Sequence, residues 1–360
     1  MIRVAGYNRY NQLIVQSNNR GEDNFPCVNP PMNAPLNTSD LLSFSIYSYH
    51  AVWITKDGKA CASGSNDGQI WPTLPREILN QHTFEVTDQN NHPLKLHSAV
   101  CGDSYTLYMS EADHSSQSQL IYVHRDRKNE SPLYVNLGSH VPVSLFGGKE
   151  NACAIDKNGE IIMVKDNIFD DGESKPIICK LPNNERAVDI ACCEGFTVSL
   201  SQTGKVYMNR SGGAVPVFKE VDSLRGIHIS NISGTYQHCL AVSEEGCVFV
   251  FGMNDGGVLG IEMTTTHVDP FTQNEALNSM KIIAGYAGFG HTLFQTSDGK
   301  ILACGFDNYG ELLDKAAQED IYLPAETDIK NGAKFCIAGN SLSVVFTSNP
   351  PANTPNMKIE

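Results

Sequence analysis

Apolar residues in this chain come in short runs that end at turn signals, and no stretch sustains the i, i+3, i+4 spacing of a long helix. The clearest segment is residues 284–312, AGYAGFGHTLFQTSDGKILACGFDNYGEL. It reads as a small-residue pair, a short loop, an apolar strand, an Asp-Gly turn, a second strand and a closing G-x-x-N-x-G-x-L. Residues 47–70 (YSYHAVWITKDGKACASGSNDGQI) and 232–259 (ISGTYQHCLAVSEEGCVFVFGMNDGGVL) repeat that order. Glycine at the bend supplies the positive φ of a tight hairpin, so each unit predicts a β-hairpin with a third strand or loop to follow.

Weaker copies keep the first half and lose the closing motif: residues 101–110, 146–164 and 191–208. A terminal half-copy at 335–346 stops before its turn, and the missing half stands at the other end of the chain, residues 2–13. The units then number seven, at about 50 residues each, which is propeller-blade spacing. One hairpin unit is too small to bury its own faces, whereas blades stacked around a ring bury them and leave only short edges. Pairs such as Cys101-Gly102, Gly147-Gly148, Ala191-Cys192, Ala284-Gly285 and Ala338-Gly339 put small residues where innermost strands would crowd a central channel. The expected fold is all-β, a seven-bladed β-propeller closed by the N- and C-terminal strands sharing a blade. It would occupy residues 1–349, with 350–360 a flexible C-terminal tail. The stretch 272–280 is open to a short helix, and 111–118 reads as a polar insertion.

Composition narrows the function classes. Charged residues are 18% of the chain and hydrophobic residues 41%, which fits a packed core and not a disordered chain. A formal net charge of −14 disfavours nucleic acid and anionic membrane as partners and suits a basic protein, or a neutral one with local complementarity. No direct DNA binding is expected, and no membrane association: there is no run of eighteen apolar residues and no apolar signal-peptide core behind the N-terminus. Eleven cysteines, scattered and without C-x-x-C, read as small core residues of a cytoplasmic or nuclear protein and not as a disulfide framework or zinc site. No P-loop, G-x-S-x-G or H-E-x-x-H occurs, so no cofactor, metal or covalent catalysis is expected.

The units resemble the regulator of chromosome condensation repeat. Gly290-His291-Thr292 and the run from Gly305 through Asp307, Asn308 and Gly310 to Leu312 match its pattern almost fully. Gly64–Ile70 is a shortened version and Gly6–Leu13 a partial one. Kelch and WD-repeat patterns fit less well. With Trp53 and Trp71 as its two tryptophans, the chain does not resemble the clustered-tryptophan photoreceptor branch. The family founder is a guanine nucleotide exchange factor for a Ran-like small GTPase, which it engages with one propeller face and a protruding wedge. Gly102-Asp103-Ser104-Tyr105-Thr106 is similar to a founder segment, and Arg125, Asp126, Arg127 and Lys128 stand where the wedge would be. Glu150 matches an acidic face residue, and Gln237 precedes His238 where the founder has paired histidines. The closing blade departs from the pattern, with Asn340-Ser341-Leu342 in place of the histidine, and no basic chromatin-binding tail is present.

Asp103, Glu150 and Glu194 fall on equivalent loops and read either as an acidic rim for a basic partner or as solvated loops. The 125–128 segment is likewise a wedge or a solvated loop. His238 and His291 recur at the repeat's own histidine slot, which assigns them to structure, bonding neighbouring backbone. Two functions stand: a protein-interaction propeller acting as adaptor or scaffold, as a monomer, and a guanine nucleotide exchange factor for a Ran-like small GTPase. Exchange would need no covalent step, only tighter binding of the nucleotide-free partner.

Overall fold

The computed structural model describes residues 1–21, 24, 26–66, 77–112, 118–124, 132–164, 176–210, 216–262, 264–314, 319–330 and 332–354. These form seven antiparallel sheets, each a blade whose strands are lettered A to D from the innermost outward. Blade 1 comprises Leu41–Ile46, His50–Thr55, Ala60–Ser65 and Glu77–Phe84; blade 2 comprises Leu96–Cys101, Tyr105–Ser110, Leu120–His124 and Leu133–Val135. Blade 3 is Pro142–Gly147, Ala152–Asp156, Ile161–Val164 and Ile177–Cys179; blade 4 is Ala187–Cys192, Phe196–Ser201, Val206–Arg210 and the short Lys219–Glu220. Blade 5 is Ile229–Gly234, His238–Ser243, Val248–Met253 and His267–Gln273; blade 6 is Ile282–Ala287, His291–Thr296, Ile301–Gly305 and Ile321–Glu326.

Blade 7 closes the ring as the split repeat requires. Its A and B strands are Phe335–Ala338 and Leu342–Phe346, its C strand is Ile2–Tyr7 and its D strand is Pro26–Asn33. Ile2 pairs with Phe346 and Gly6 with Leu342. Phe346 also packs edge-on to Phe44 of blade 1, which stacks on Trp53, so the seam is apolar on both sides. Residues 350–354, expected within a free tail, lie against the ring: Asn353 N–H donates to Leu42 O at 2.7 Å, and its side-chain amide donates to His97 O at 3.2 Å. Residues 355–360 lie outside the described residues.

The B–C hairpins bend where expected, with Gly58, Gly159, Gly204, Gly246 and Gly299 at φ between 77° and 91°. Crowding at the innermost strands is real: a Cβ on Gly148 would strike Cys192 O, and one on Gly285 would strike the Leu240 side chain. Six blades carry a register shift at the start of the A strand, such as Ser43 after Leu41 and Ala284 after Ile282, a recurrent bulge that bends each strand into the hub. The stretch 272–280 is no helix beyond one short turn at Glu275–Leu277, capped by Asn274, because the D strand already takes residues up to Gln273.

The recurring histidines are structural, and their Nε2 atoms meet hydroxyls where backbone was expected. Each reaches a hydroxyl on the next blade: His50 Nε2 to Thr106 Oγ1 (3.1 Å), His238 to Thr292 (2.9 Å) and His291 to Ser343 (2.9 Å). In blade 2 the slot holds Tyr105, whose hydroxyl donates to Gly148 O and Asn151 O of blade 3. Opposite His50, His238 and His291 across the B–C ladder stand Gly64, Gly252 and Gly305, at φ of 113°, 105° and 111°. A Cβ at any of the three would strike the carbonyl just before that histidine.

Candidate functional site

Strand alternation puts the A–B and C–D loops of every blade on one face of the ring, and the B–C turns and D–A links on the other. The sequence-derived residues Asp103, Glu150, Glu194 and Gln237 all sit in A–B loops, at or beside the start of the B strand, and therefore share that face. The structure brings them together through backbone. Asp103 N–H donates to Lys149 O (2.9 Å), Lys149 N–H to Thr235 O (3.3 Å) and Glu194 N–H to Tyr236 O (2.8 Å). The Gln237 side-chain amide donates to the Glu194 carboxylate at 3.0 Å. Glu150 and Glu194 are exposed and Asp103 half-buried. Lys149 lies 3.7 Å from Glu150, a surface pair of small energetic weight.

The same loops cover the hub. Thr235 Oγ1 donates to Gly288 O (2.9 Å), Phe289 N–H to Gly339 O (3.1 Å) and the Asn340 side-chain amide to Ser48 Oγ (3.0 Å), so the rosette runs through blades 5, 6, 7 and 1. Tyr236 and Phe289 stack at 4.1 Å, with the Lys149 ammonium 4.6 Å from the Tyr236 ring centre. Beneath them the hub, between Tyr47, Cys101, Gly147, Tyr286 and Ala338, holds a cavity of only about 50 Å³. That is far below the roughly 300 Å³ and upward of small-molecule pockets. The hub between these residues is thus closely packed.

A second aromatic group flanks the rosette where blades 6, 7 and 1 meet. Tyr7 is edge-on to Tyr309 at 5.1 Å and to Tyr49 at 6.5 Å, and Tyr10 is edge-on to Tyr49 at 6.0 Å. The Arg9 guanidinium lies 5.4 Å from the Tyr10 ring centre. Burial, together with Tyr10 beside it, pushes the Tyr7 hydroxyl up to about 12. Sequence reasoning missed these rings, although each lies in an A–B loop or closing motif, the parts of the repeat that face outward. Tyrosine and arginine are the residue types that concentrate binding energy at protein interfaces.

The 125–128 segment, with Arg125, Asp126, Arg127 and Lys128, lies outside the described residues. His124 just before it bonds Ser104 Oγ at 3.0 Å and stacks on Tyr122. The buried histidines are sealed between blades, just beneath the loop face; burial holds His238 neutral down to about 4, and burial with His238 nearby holds His291 neutral down to about 3. They serve blade packing.

No family model matches the chain. Among characterised proteins it is 31% identical over 157 residues to the ultraviolet-B receptor UVR8 of Arabidopsis thaliana, covering 39% of this chain and 35% of the receptor. It is 27% identical to the human E3 ubiquitin-protein ligase HERC2 over 83% of this chain and 7% of the ligase. It is 34% identical to the bovine secretion-regulating guanine nucleotide exchange factor over 36% of this chain and 28% of that factor. The chain thus spans about a third or less of the length of the relatives it matches. In fold it is similar to human WBSCR16, with a TM-score of 0.75 and 13% identity, covering 97% of this chain and 100% of that one. Prp20p of Saccharomyces cerevisiae, studied for its binding to Gsp1p and histones, gives a TM-score of 0.72 and 15% identity over 96% of this chain and 91% of Prp20p. At these identities the structures speak for the fold alone. Among the described residues, no helix is long and apolar enough to cross a membrane.

Proposed function

We propose that this chain, a seven-bladed propeller related to the regulator of chromosome condensation repeat proteins, is a protein-interaction module that binds its partner on the face built from the A–B and C–D loops. The observation that carries the reading is the continuous rosette over a filled hub. Acidic Asp103, Glu150 and Glu194 lie along one side of it and the tyrosines of blades 6, 7 and 1 along the other. Aromatic anchors beside acidic residues suit a partner segment that combines apolar side chains with lysine or arginine. To test it, the wild-type protein and a Glu194→Lys variant are used as bait in native extract. A partner retained by the first and lost by the second supports the reading; retention by both opposes it.

A second reading, guanine nucleotide exchange on a Ran-like small GTPase, is supported by Gly102-Asp103-Ser104-Tyr105-Thr106 on this same face and by the likeness to an exchange factor. Exchange requires the propeller to prefer the nucleotide-free GTPase. Release of fluorescent GDP from a Ran-like GTPase separates the two. Acceleration by the intact protein, reduced at least tenfold when residues 125–128 become Gly and Ser, establishes exchange. No acceleration at any concentration leaves the adaptor reading alone.

A further inference from the structure

Among the described residues, the last B-strand position changes its chemistry in blade 3. In blades 1, 2, 4, 5 and 6 the last B-strand residue is Thr55, Ser110, Ser201, Ser243 or Thr296. Its hydroxyl accepts the backbone N–H that begins the return, from Lys59, Gln119, Lys205, Cys247 or Lys300. Blade 3 has Asp156 in that slot, 1% exposed. Its Oδ1 does the same work, accepting from Asn158 N (2.8 Å) and Glu160 N (2.9 Å). A carboxylate has a second oxygen, and burying its charge is costly without a cationic partner.

That oxygen, Oδ2, faces His140 Nδ1 at 2.9 Å, with the Asn158 side-chain amide at 3.4 Å. The same His140 nitrogen is 3.3 Å from Glu160 Oε2. Glu160 Oε1 is held by the Lys180 ammonium at 2.6 Å. Each carboxylate therefore gives one oxygen to a fixed donor and turns the other towards His140. The three inward atoms all lie within 4.8 Å of one another. Burial opposes the charge on Asp156, but His140 and the two turn N–H groups outweigh it and hold the carboxyl below its usual range. Among the described residues this is the one cluster of three such ligand atoms.

Donors bound about 2.0–2.2 Å from a tetrahedral zinc are separated by roughly 3.3 Å, the spacing His140 already shows towards Glu160. Ligand oxygens oriented by outer donors are the arrangement that metal sites use. We propose that His140 Nδ1, Asp156 Oδ2 and Glu160 Oε2 form a divalent-cation site, best matched to zinc, with the fourth position left to water. It lies on the face opposite the partner loops and would clamp the link between blades 2 and 3, which carries His140, to the blade 3 hairpin.

Chelator-treated protein titrated with zinc chloride, and in parallel with magnesium chloride, tests this by calorimetry. The expected result is one equivalent of zinc and no magnesium heat, with zinc affinity reduced at least tenfold by His140→Ala and by Glu160→Gln and unchanged by Cys247→Ser. Cobalt(II) added to the wild-type protein, where no variant need fold, is expected to give visible d–d absorption without a thiolate charge-transfer band. A thiolate band, absence of zinc binding, or zinc binding that survives both ligand substitutions overturns the proposal.

Discussion

Blades 5 to 7 and blades 3 and 4 are built on one plan and use it differently. Blades 5 to 7 keep the closing motif: Asn254 accepts from Leu259 N–H, Asp307 from Leu312 N–H and Asn8 from Leu13 N–H, at 2.9 to 3.0 Å, each closing its own C–D loop. Their histidines latch blade 5 to 6 and 6 to 7. Blades 3 and 4 have Asn151 and Phe196 in the histidine slot, and their C strands end at Val164 and Arg210 without the glycine. These plain blades carry Glu150 and Glu194. The contrast teaches that side-chain latches and closing motifs secure the ring in one arc, while in the other the A–B loops are joined through backbone and leave the Glu150 and Glu194 side chains exposed.

Breaking the stitched arc gives the largest expected effect. Deleting residues 1–14 removes the C strand of blade 7 and leaves Leu342–Phe346 and Pro26–Asn33 unpaired on the facing edges. Such edges template aggregation. Loss of cooperative melting, or insolubility, is expected; a melt like that of the full chain would refute the closure. Next comes Gly305→Val, which places a branched side chain at φ 111° against Gly290 O and should cost about 3 kcal/mol in denaturant melts. The plain-arc counterpart, Arg210→Val, should lose its exposed pair with Asp269 and its contact over the Phe251 ring, about 1 kcal/mol together.

A subtler break separates blade 6 from blade 7. Asn8 and Gln12 of blade 7 use their amide groups as donors, to Val15 O and to Tyr7 O and Ser48 O. Blade 6 has Asp307 and Glu311 at those positions, 1% and 2% exposed. Burial, with Asp314 and Asp320 nearby, pushes the Asp307 carboxyl up to about 7; burial and Asp307 push Glu311 up to about 8. Both folded values lie above the roughly 4 of an unfolded carboxyl. Their contribution is therefore complete below about pH 4 and is lost as pH rises through 7 and 8. The buried His238 and His291 act in the opposite sense. Held below the roughly 6.5 of an unfolded histidine, they support the fold fully above that pH and lose their contribution as it falls towards 4 and 3. The double change Asp307→Asn and Glu311→Gln should flatten the alkaline limb of a melting-temperature profile, with a gain on the order of 2 kcal/mol at pH 8.5. An unchanged limb would show that the acids are not buried as described.

Much of the ring was legible because hairpin turns and the closing motif are local: Asp298-Gly299 or Gly305 to Leu312 declares its geometry within a few residues. The seam was legible because Ile2–Leu13 and Phe335–Phe346 are halves of one pattern. What lay out of reach depends on contacts between units. His238 was assigned to backbone because its real partner, Thr292, is one blade away, and Lys149 reaches Tyr236 across two blades. The shared face of Asp103, Glu150 and Glu194 followed from equivalent loop positions, whereas the tyrosine rings, although they stand in the same kinds of loop, meet only where three blades converge.

The smallest effect on stability should accompany the largest on function. Glu150→Lys with Glu194→Lys alters exposed groups and should move stability by under about 0.5 kcal/mol. The deciding measurement is the affinity, by calorimetric titration, of the partner captured from extract for wild type, for this double variant and for Glu245→Lys, an exposed change at a B–C turn on the opposite face. Binding weakened at least tenfold by the double variant, about 1.4 kcal/mol, and unaltered by Glu245→Lys is the predicted result. Equal affinity for wild type and the double variant, with both folded, would contradict the assignment of the partner to the loop face.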